Sequence, residues 1–78
     1  MINGSIPPDV DGINDKRAAW AKASLHTFMR ATGCDYGDSL GNFLCDLMHL
    51  ADRDGFDFEL ALNRARGHYA AETGAAPY

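Results

Sequence analysis

The feature that most constrains this chain is a run of apolar residues, in its middle third, that follows the helical period. The apolar positions recur at intervals of three and four: Leu40, Phe43, Leu44, Leu47, Met48 and Ala51. That spacing places side chains on one face of an α-helix, whereas a half-buried strand would alternate apolar and polar residues. The pattern therefore predicts a helix over residues 39–54, capped by Asp35 or Asp38 and ended by Gly55.

A helix of weaker pattern is predicted on the N-terminal side of this one. Its apolar stripe consists of Ala18, Ala21, Leu25, Phe28 and Met29. Asn14 or Asp15 is a suitable N-cap, and Gly33 is a suitable stop. We therefore expect a first helix over residues 15–32.

The C-terminal part of the chain predicts a third helix over residues 57–73. Its apolar stripe consists of Phe58, Ala61, Leu62, Ala65 and Tyr69. Asp57 is placed to cap it, and Gly74 follows its last turn. Since no alternating pattern of useful length occurs anywhere, the sequence predicts an all-α fold of three helices joined by short turns.

The first thirteen residues differ in composition from the rest. Pro7 and Pro8 are adjacent, and adjacent prolines do not fit inside a helix or a central strand. Gly4 and Gly12 lie on either side of them. The sequence therefore predicts an extended or disordered arm over residues 1–13 and a single small helical domain over residues 14–78.

The size of the chain limits the core that it can form. The sequence has 78 residues, of which 46% are hydrophobic, and a third of those hydrophobic residues are alanine. A single core of this size supplies only roughly 3–5 kcal/mol of folding stability unless covalent cross-links or oligomerisation add to it. The two cysteines are too few for a disulfide framework. We therefore expect the helical hairpin to be completed by oligomerisation.

The large apolar side chains indicate where association would occur. Trp20 lies roughly 100° from the centre of the first helix's stripe, a position that favours contact with another molecule. The expected interface residues are Trp20, Leu25, Phe28, Phe43, Leu47 and Met48. The alternative is that the aromatic rings simply fill space between alanine-rich helices of the same chain.

Charge is distributed in blocks along the chain. The net charge is −4, residues 16–33 carry four basic and no acidic side chains, and residues 34–59 carry seven acidic side chains against Arg53. The acidic balance argues against nucleic-acid binding. Either the two blocks offset each other in neighbouring antiparallel helices, or the acidic block binds a basic surface, as a small acidic inhibitor or regulator would.

The sequence offers little support for a secreted or membrane protein. Residues 1–8 lack the basic region and apolar run of a secretory signal, and no stretch approaches the roughly 20 apolar residues of a membrane span. We therefore expect a cytoplasmic protein with a protein partner or further copies of itself as its ligand.

One polar face of the middle helix carries the residues best suited to chemistry. Asp46 and His49 have the spacing at which a carboxylate and an imidazole on one helix can share a metal or form a general base. Asp38 and Asp52 lie near enough to add oxygen ligands. An ordinary solvated face accounts for the same residues, and the sequence predicts no catalytic, cofactor-binding or metal-binding residue.

From residue 38 onward the chain resembles a known family. The similar segments are DSLGNFL at 38–44, Leu-Ala at 50–51, GFDFELAL at 55–62, and the later Ala65 and Tyr69. Together they resemble the second half of the MazG-like all-α NTP pyrophosphohydrolases. The resemblance covers about half of the chain and implies a helical architecture that dimerises or tetramerises.

The family's magnesium-binding acids are missing from the corresponding positions. Ser39 and Asn42 stand where that family places two acidic ligands, and residues 16–34 contain no acid for the partner motif. Mg²⁺ requires hard anionic oxygens at short distance. The expected function is therefore binding or self-association without catalysis and without a cofactor. The alternative is a divergent Mg²⁺-dependent nucleotide pyrophosphohydrolase using Asp38, Asp46, His49 or Asp52.

Overall fold

The computed structural model describes residues 7–74 and shows an all-α chain, as the sequence predicted. Three helices follow one another in this range: α1 over Ile13–Thr32, α2 over Tyr36–Asp54 and α3 over Phe58–Thr73. No strand occurs within it. The predicted N-terminal arm lies partly outside the described residues; residues 10–12 form a turn in which the Gly12 N–H donates to the Asp9 carbonyl.

The start of α1 differs from the prediction, which placed the N-cap at Asn14 or Asp15. The helix begins at Ile13, after Gly12 in the left-handed region at φ 74°. The Asp9 carboxylate accepts hydrogen bonds from the backbone N–H groups of Asn14 at 3.1 Å and Asp15 at 2.9 Å. The first free N–H groups of α1 are thus satisfied by a carboxylate from the preceding turn, which also places a negative charge at the positive end of the helix.

The other two helices begin at side-chain caps. Asp35 accepts a hydrogen bond from the Asp38 N–H at 2.9 Å, so α2 starts three residues earlier than predicted. Asp57 accepts from the Leu60 N–H at 3.0 Å, which confirms it as the cap of α3. In both cases a short carboxylate satisfies an N–H of the first turn.

The predicted helix ends are confirmed. Gly33, Gly55 and Gly74 have φ values of 75°, 78° and 71°. Their N–H groups donate to the carbonyls of Met29, Ala51 and Ala70, respectively. Only glycine enters this left-handed conformation without steric cost, so each residue ends its helix.

The two longer helices form a hairpin held by aromatic contacts. The rings of Phe28 and Phe43 lie 4.9 Å apart between centroids, within the range of favourable aromatic pairs. Near the turn, the rings of His26 and Tyr36 meet in an edge-type arrangement, with their centroids 6.3 Å apart. The Lys22 ammonium lies 6.0 Å from the centroid of the same tyrosine, which is the outer limit of a cation–π contact.

Helix α3 reaches the start of α1 through polar contacts. The Asn14 side-chain amide donates to the Glu72 carbonyl at 2.8 Å, and the Arg17 guanidinium lies 3.5 Å from the Glu72 carboxylate. This is the one ion pair between residues 7 and 74, so the basic and acidic blocks of α1 and α2 do not pair directly. The exposed position of the pair limits its contribution to stability.

The inner face predicted for α3 is only partly correct. Phe58 and Leu62 are half-buried, whereas Ala61, Ala65 and Tyr69 are exposed. The half-buried positions continue through Ala70 instead of Tyr69. A helical stripe in sequence cannot distinguish these faces, because adjacent residues differ by only 100° around the axis.

The helices bury very little of their surface against one another. Among the described residues only Ser39, at 0% exposure, and Ala51, at 5%, are buried. The three helices between residues 7 and 74 therefore enclose almost no core.

The cap at Asp9 can be tested by removing its carboxylate. We expect Asp9→Ala to lower the free energy of unfolding by about 1 kcal/mol, because two N–H groups lose their acceptor. Urea unfolding at fixed protein concentration measures the change. Asp15→Asn is the control, since it removes a first-turn charge but no cap; equal losses in both variants would contradict the capping role.

Candidate functional site

Helix α2 has an apolar face wider than α1 covers. One row of side chains (Ser39, Phe43, Leu47 and Ala51) is buried or half-buried. The next row, which we call the outer row, is exposed and consists of Tyr36 (59%), Leu40 (62%), Leu44 (42%) and Met48 (49%). Because both rows repeat every four residues, they run side by side along the helix. The outer row therefore forms a continuous apolar strip that is exposed along its length, and Tyr36, at its start, contacts His26 and Lys22 of α1.

A groove between α1 and α2 adjoins the outer row. It is open to solvent, has a volume of about 380 Å³ and is lined by Ala18, Ala21, Lys22, Leu25, Tyr36, Leu40 and Phe43. All but Lys22 present apolar or aromatic surface. Grooves of this composition accept apolar side chains, so the groove extends the strip from α2 onto α1.

Gly41 lies beside the outer row, and no contact within the hairpin requires a glycine at this position. It is in the middle of α2, and its φ is not positive. A Cβ built on it would meet no described atom within 4 Å. Glycine inside a helix costs about 1 kcal/mol relative to alanine. Its presence permits close approach of another backbone at this point.

The six predicted interface residues divide into two groups. Phe28 and Phe43 stack on each other within the hairpin, and Leu25 and Leu47 are half-buried. Trp20 and Met48 are exposed, by 66% and 49%. The prediction did not include Tyr36, Leu40 or Leu44. The helical period had grouped both leucines with Phe43 and Leu47 on one face of α2, since it cannot show how wide a face the neighbouring helix covers.

The polar face of α2 brings three possible metal ligands together. The donor atoms of Cys45, Asp46 and His49 all lie within 4.8 Å of one another, and all three residues are exposed. Asp38 and Asp52, which the sequence suggested as additional ligands, are not part of this group. Cys45 was not singled out by the sequence pattern, and it is exposed and not in a disulfide.

The residues that match the MazG-like magnesium positions do not fit a Mg²⁺ cluster. Ser39 is fully buried, and its hydroxyl donates to the Tyr36 carbonyl at 2.7 Å. Asn42 is exposed, and the sole acid on α1 is Asp15 in its first turn. Mg²⁺ requires several converging oxygens, usually anionic ones. These positions provide none, so no hydrolytic step is assigned to them.

Comparison of the chain with protein-family profiles, curated proteins and solved structures finds no match. In the part of the chain that the structure describes, no helix has the length and hydrophobicity that crossing a bilayer requires.

The free energy of unfolding should respond differently to an acidic side chain introduced at Ser39 and at Asn42. We expect Ser39→Glu to lower the free energy of unfolding by several kcal/mol, because the substitution buries an unpaired charge. Asn42→Glu, at an exposed position of the same helix, should change it by less than about 0.5 kcal/mol. Thermal denaturation followed by circular dichroism compares the two. A stable Ser39→Glu variant that binds Mg²⁺ would contradict the assignment of Ser39 to the interior.

Proposed function

We propose that this protein is a non-catalytic helical module that associates with a second copy of itself through the outer row of α2 and the adjoining groove. The observation that carries the proposal is the near absence of a core in a chain whose helices have well-formed caps. Local structure is complete, whereas the apolar surface that should stabilise it remains exposed. Association supplies the missing burial.

The exposure of large side chains agrees with this proposal. The four side chains of the outer row are 42–62% exposed. A second copy packed on this row would remove them from water, and hydrophobic free energy scales with the apolar area so removed.

A second copy fits the shape of this surface. The outer row runs over thirteen residues of α2, from Tyr36 to Met48, which is about 18 Å of helix. A two-fold axis that crosses this strip would pack two hairpins into a four-helix arrangement, because each copy presents the same strip to the other. Gly41 would then lie at the edge of the contact between the two α2 helices.

Two other interpretations receive less support from the contacts. An acidic inhibitor would use Asp38, Asp46 and Asp52, yet the outer row itself contains no charged side chain. A nucleotide pyrophosphohydrolase would require ligands that Ser39 and Asn42 do not provide. Neither accounts for the exposed leucines.

Two leucines of equal chemistry and nearly equal exposure provide a matched test. Leu44 is 42% exposed on the outer row, and Leu50 is 46% exposed about 120° away around the same helix. We expect Leu44→Glu to weaken the dimer by about tenfold or more, because a charge enters an apolar interface. Leu50→Glu should leave the dissociation constant within about threefold of the wild-type value.

Sedimentation velocity over a range of protein concentrations measures both constants, with helix content checked by circular dichroism. A wild-type chain that is monomeric at every concentration overturns self-association. Equal weakening by both substitutions would contradict the assignment of the interface to the outer row. Association that falls steeply with added salt would indicate the acidic face instead.

Gly41→Ala separates the stability of a helix from the strength of the dimer. Alanine should stabilise the isolated helix by about 0.5–1 kcal/mol. The added methyl group should at the same time weaken the dimer, because it separates the two α2 helices. Unfolding at low concentration and sedimentation at high concentration measure the two effects, and a gain in both would contradict close approach at Gly41.

A further inference from the structure

The polar face of α2 carries a cluster that the association surface does not use. Cys45, Asp46 and His49 occupy adjacent positions there, with all three donor atoms within 4.8 Å of one another. Asp46 and His49 lie about 120° or more around the helix from the centre of the outer row. A ligand bound there would therefore act independently of the dimer.

A second cysteine lies beside this cluster. Cys34, in the turn between α1 and α2, is half-buried and is not in a disulfide. It lines the same pocket as Cys45 and Asp46, which has a volume of about 250 Å³. The Cys34 sulfur lies 3.2 Å from the Thr32 hydroxyl oxygen, whose proton is donated to the Phe28 carbonyl at 2.9 Å. Cys34 is not one of the three residues whose donor atoms lie within 4.8 Å of one another, but its place in the same pocket brings a second sulfur near the cluster.

The geometry points to a Zn²⁺ site formed by Cys34, Cys45, Asp46 and His49. Zn²⁺ is bound tetrahedrally by thiolate, imidazole and carboxylate, with donor atoms about 3.3–3.8 Å apart when the bonds are about 2.0–2.3 Å long. Rotation of the three exposed side chains closes the remaining ångström among Cys45, Asp46 and His49. Cys34 must move toward them from the turn to complete the site. Mg²⁺ and Ca²⁺ are disfavoured, because they prefer oxygen ligands alone.

Zn²⁺ binding follows a simple proton balance. Each cysteine thiol loses its proton to solvent as its sulfur bonds to the metal, and the imidazole binds in its neutral form. The carboxylate of Asp46 is the third kind of ligand. With two thiolates and one carboxylate around the dication, affinity must fall as the pH is lowered.

The location of the site gives it a structural role. Residue 34 belongs to the turn and residues 45–49 to the middle of α2, so the metal joins the end of α1 to the second helix. Small chains that cannot enclose a sufficient core commonly obtain stability from such a metal. The almost coreless hairpin of this protein is a chain of that kind.

The test is a titration of reduced, tag-free and metal-free protein with Co²⁺, followed by displacement with Zn²⁺. We expect one ion per chain, a visible spectrum typical of tetrahedral Co²⁺ and a sulfur-to-metal charge-transfer band. Zn²⁺ should raise the unfolding temperature at a fixed protein concentration. Absence of saturable binding, or an octahedral spectrum without charge transfer, overturns the site.

Substitutions distinguish this site from adventitious binding by a histidine. Cys45→Ser and His49→Gln should each weaken Zn²⁺ binding by about tenfold or more. Cys34→Ser should reduce the charge-transfer intensity by about half, since one of two thiolates is lost. His26→Gln and His68→Gln are the controls. Unchanged affinity in Cys45→Ser overturns the inference, and unchanged intensity in Cys34→Ser overturns the four-ligand assignment.

The dimer provides an independent readout. Leu44→Glu should leave Zn²⁺ affinity unchanged, because Leu44 is not among the four ligands. Loss of Zn²⁺ binding in that variant, with helix content retained, would contradict the separation of the two surfaces.

Discussion

The organisation of this protein depends on the mismatch between the wide apolar face of α2 and the narrow strip of it that α1 covers. The contact between Phe28 and Phe43 holds the hairpin together, and the row of α2 that contains Phe43 is buried or half-buried. The neighbouring row is equally apolar and remains in solvent. Hydrophobic free energy scales with the apolar area removed from water. A chain that leaves a whole row exposed forgoes much of its available stabilisation unless another molecule covers that row.

Secondary structure in this chain is specified far more completely than tertiary structure. The carboxylates of Asp9, Asp35 and Asp57 accept hydrogen bonds from the first turns of the three helices. Glycines in the left-handed backbone conformation end the helices. These interactions are local and cost little chain entropy. They fix where each helix starts and stops without deciding what lies against it. Isolated helices of this length are marginal in water, so the burial that stabilises them must come from packing, from association or from a metal.

The two surfaces of α2 offer two such sources of stability on different sides of one helix. The outer row provides apolar area for a second copy, and the cluster of Cys45, Asp46 and His49 provides ligands for a metal. The resemblance to MazG-like proteins suggested a third surface. Its key position, Ser39, is fully buried, so that surface is absent as a magnesium site. At the positions that the resemblance would assign to magnesium ligands, α2 thus presents no acidic side chain.

The sequence alone determined the three helices and their ends, because helical period, capping carboxylates and glycine stops are local properties of the chain. It also identified Asp46 and His49 as a pair. It placed the cap of α1 wrongly, since Asp9 reaches the helix from the preceding turn. Only the tertiary structure decided which row of α2 is covered and that Cys34 and Cys45 line one pocket. The rotation of α2 about its axis relative to α1 is not encoded by the helical period, and two side chains eleven residues apart line one pocket only because the chain reverses direction between the helices.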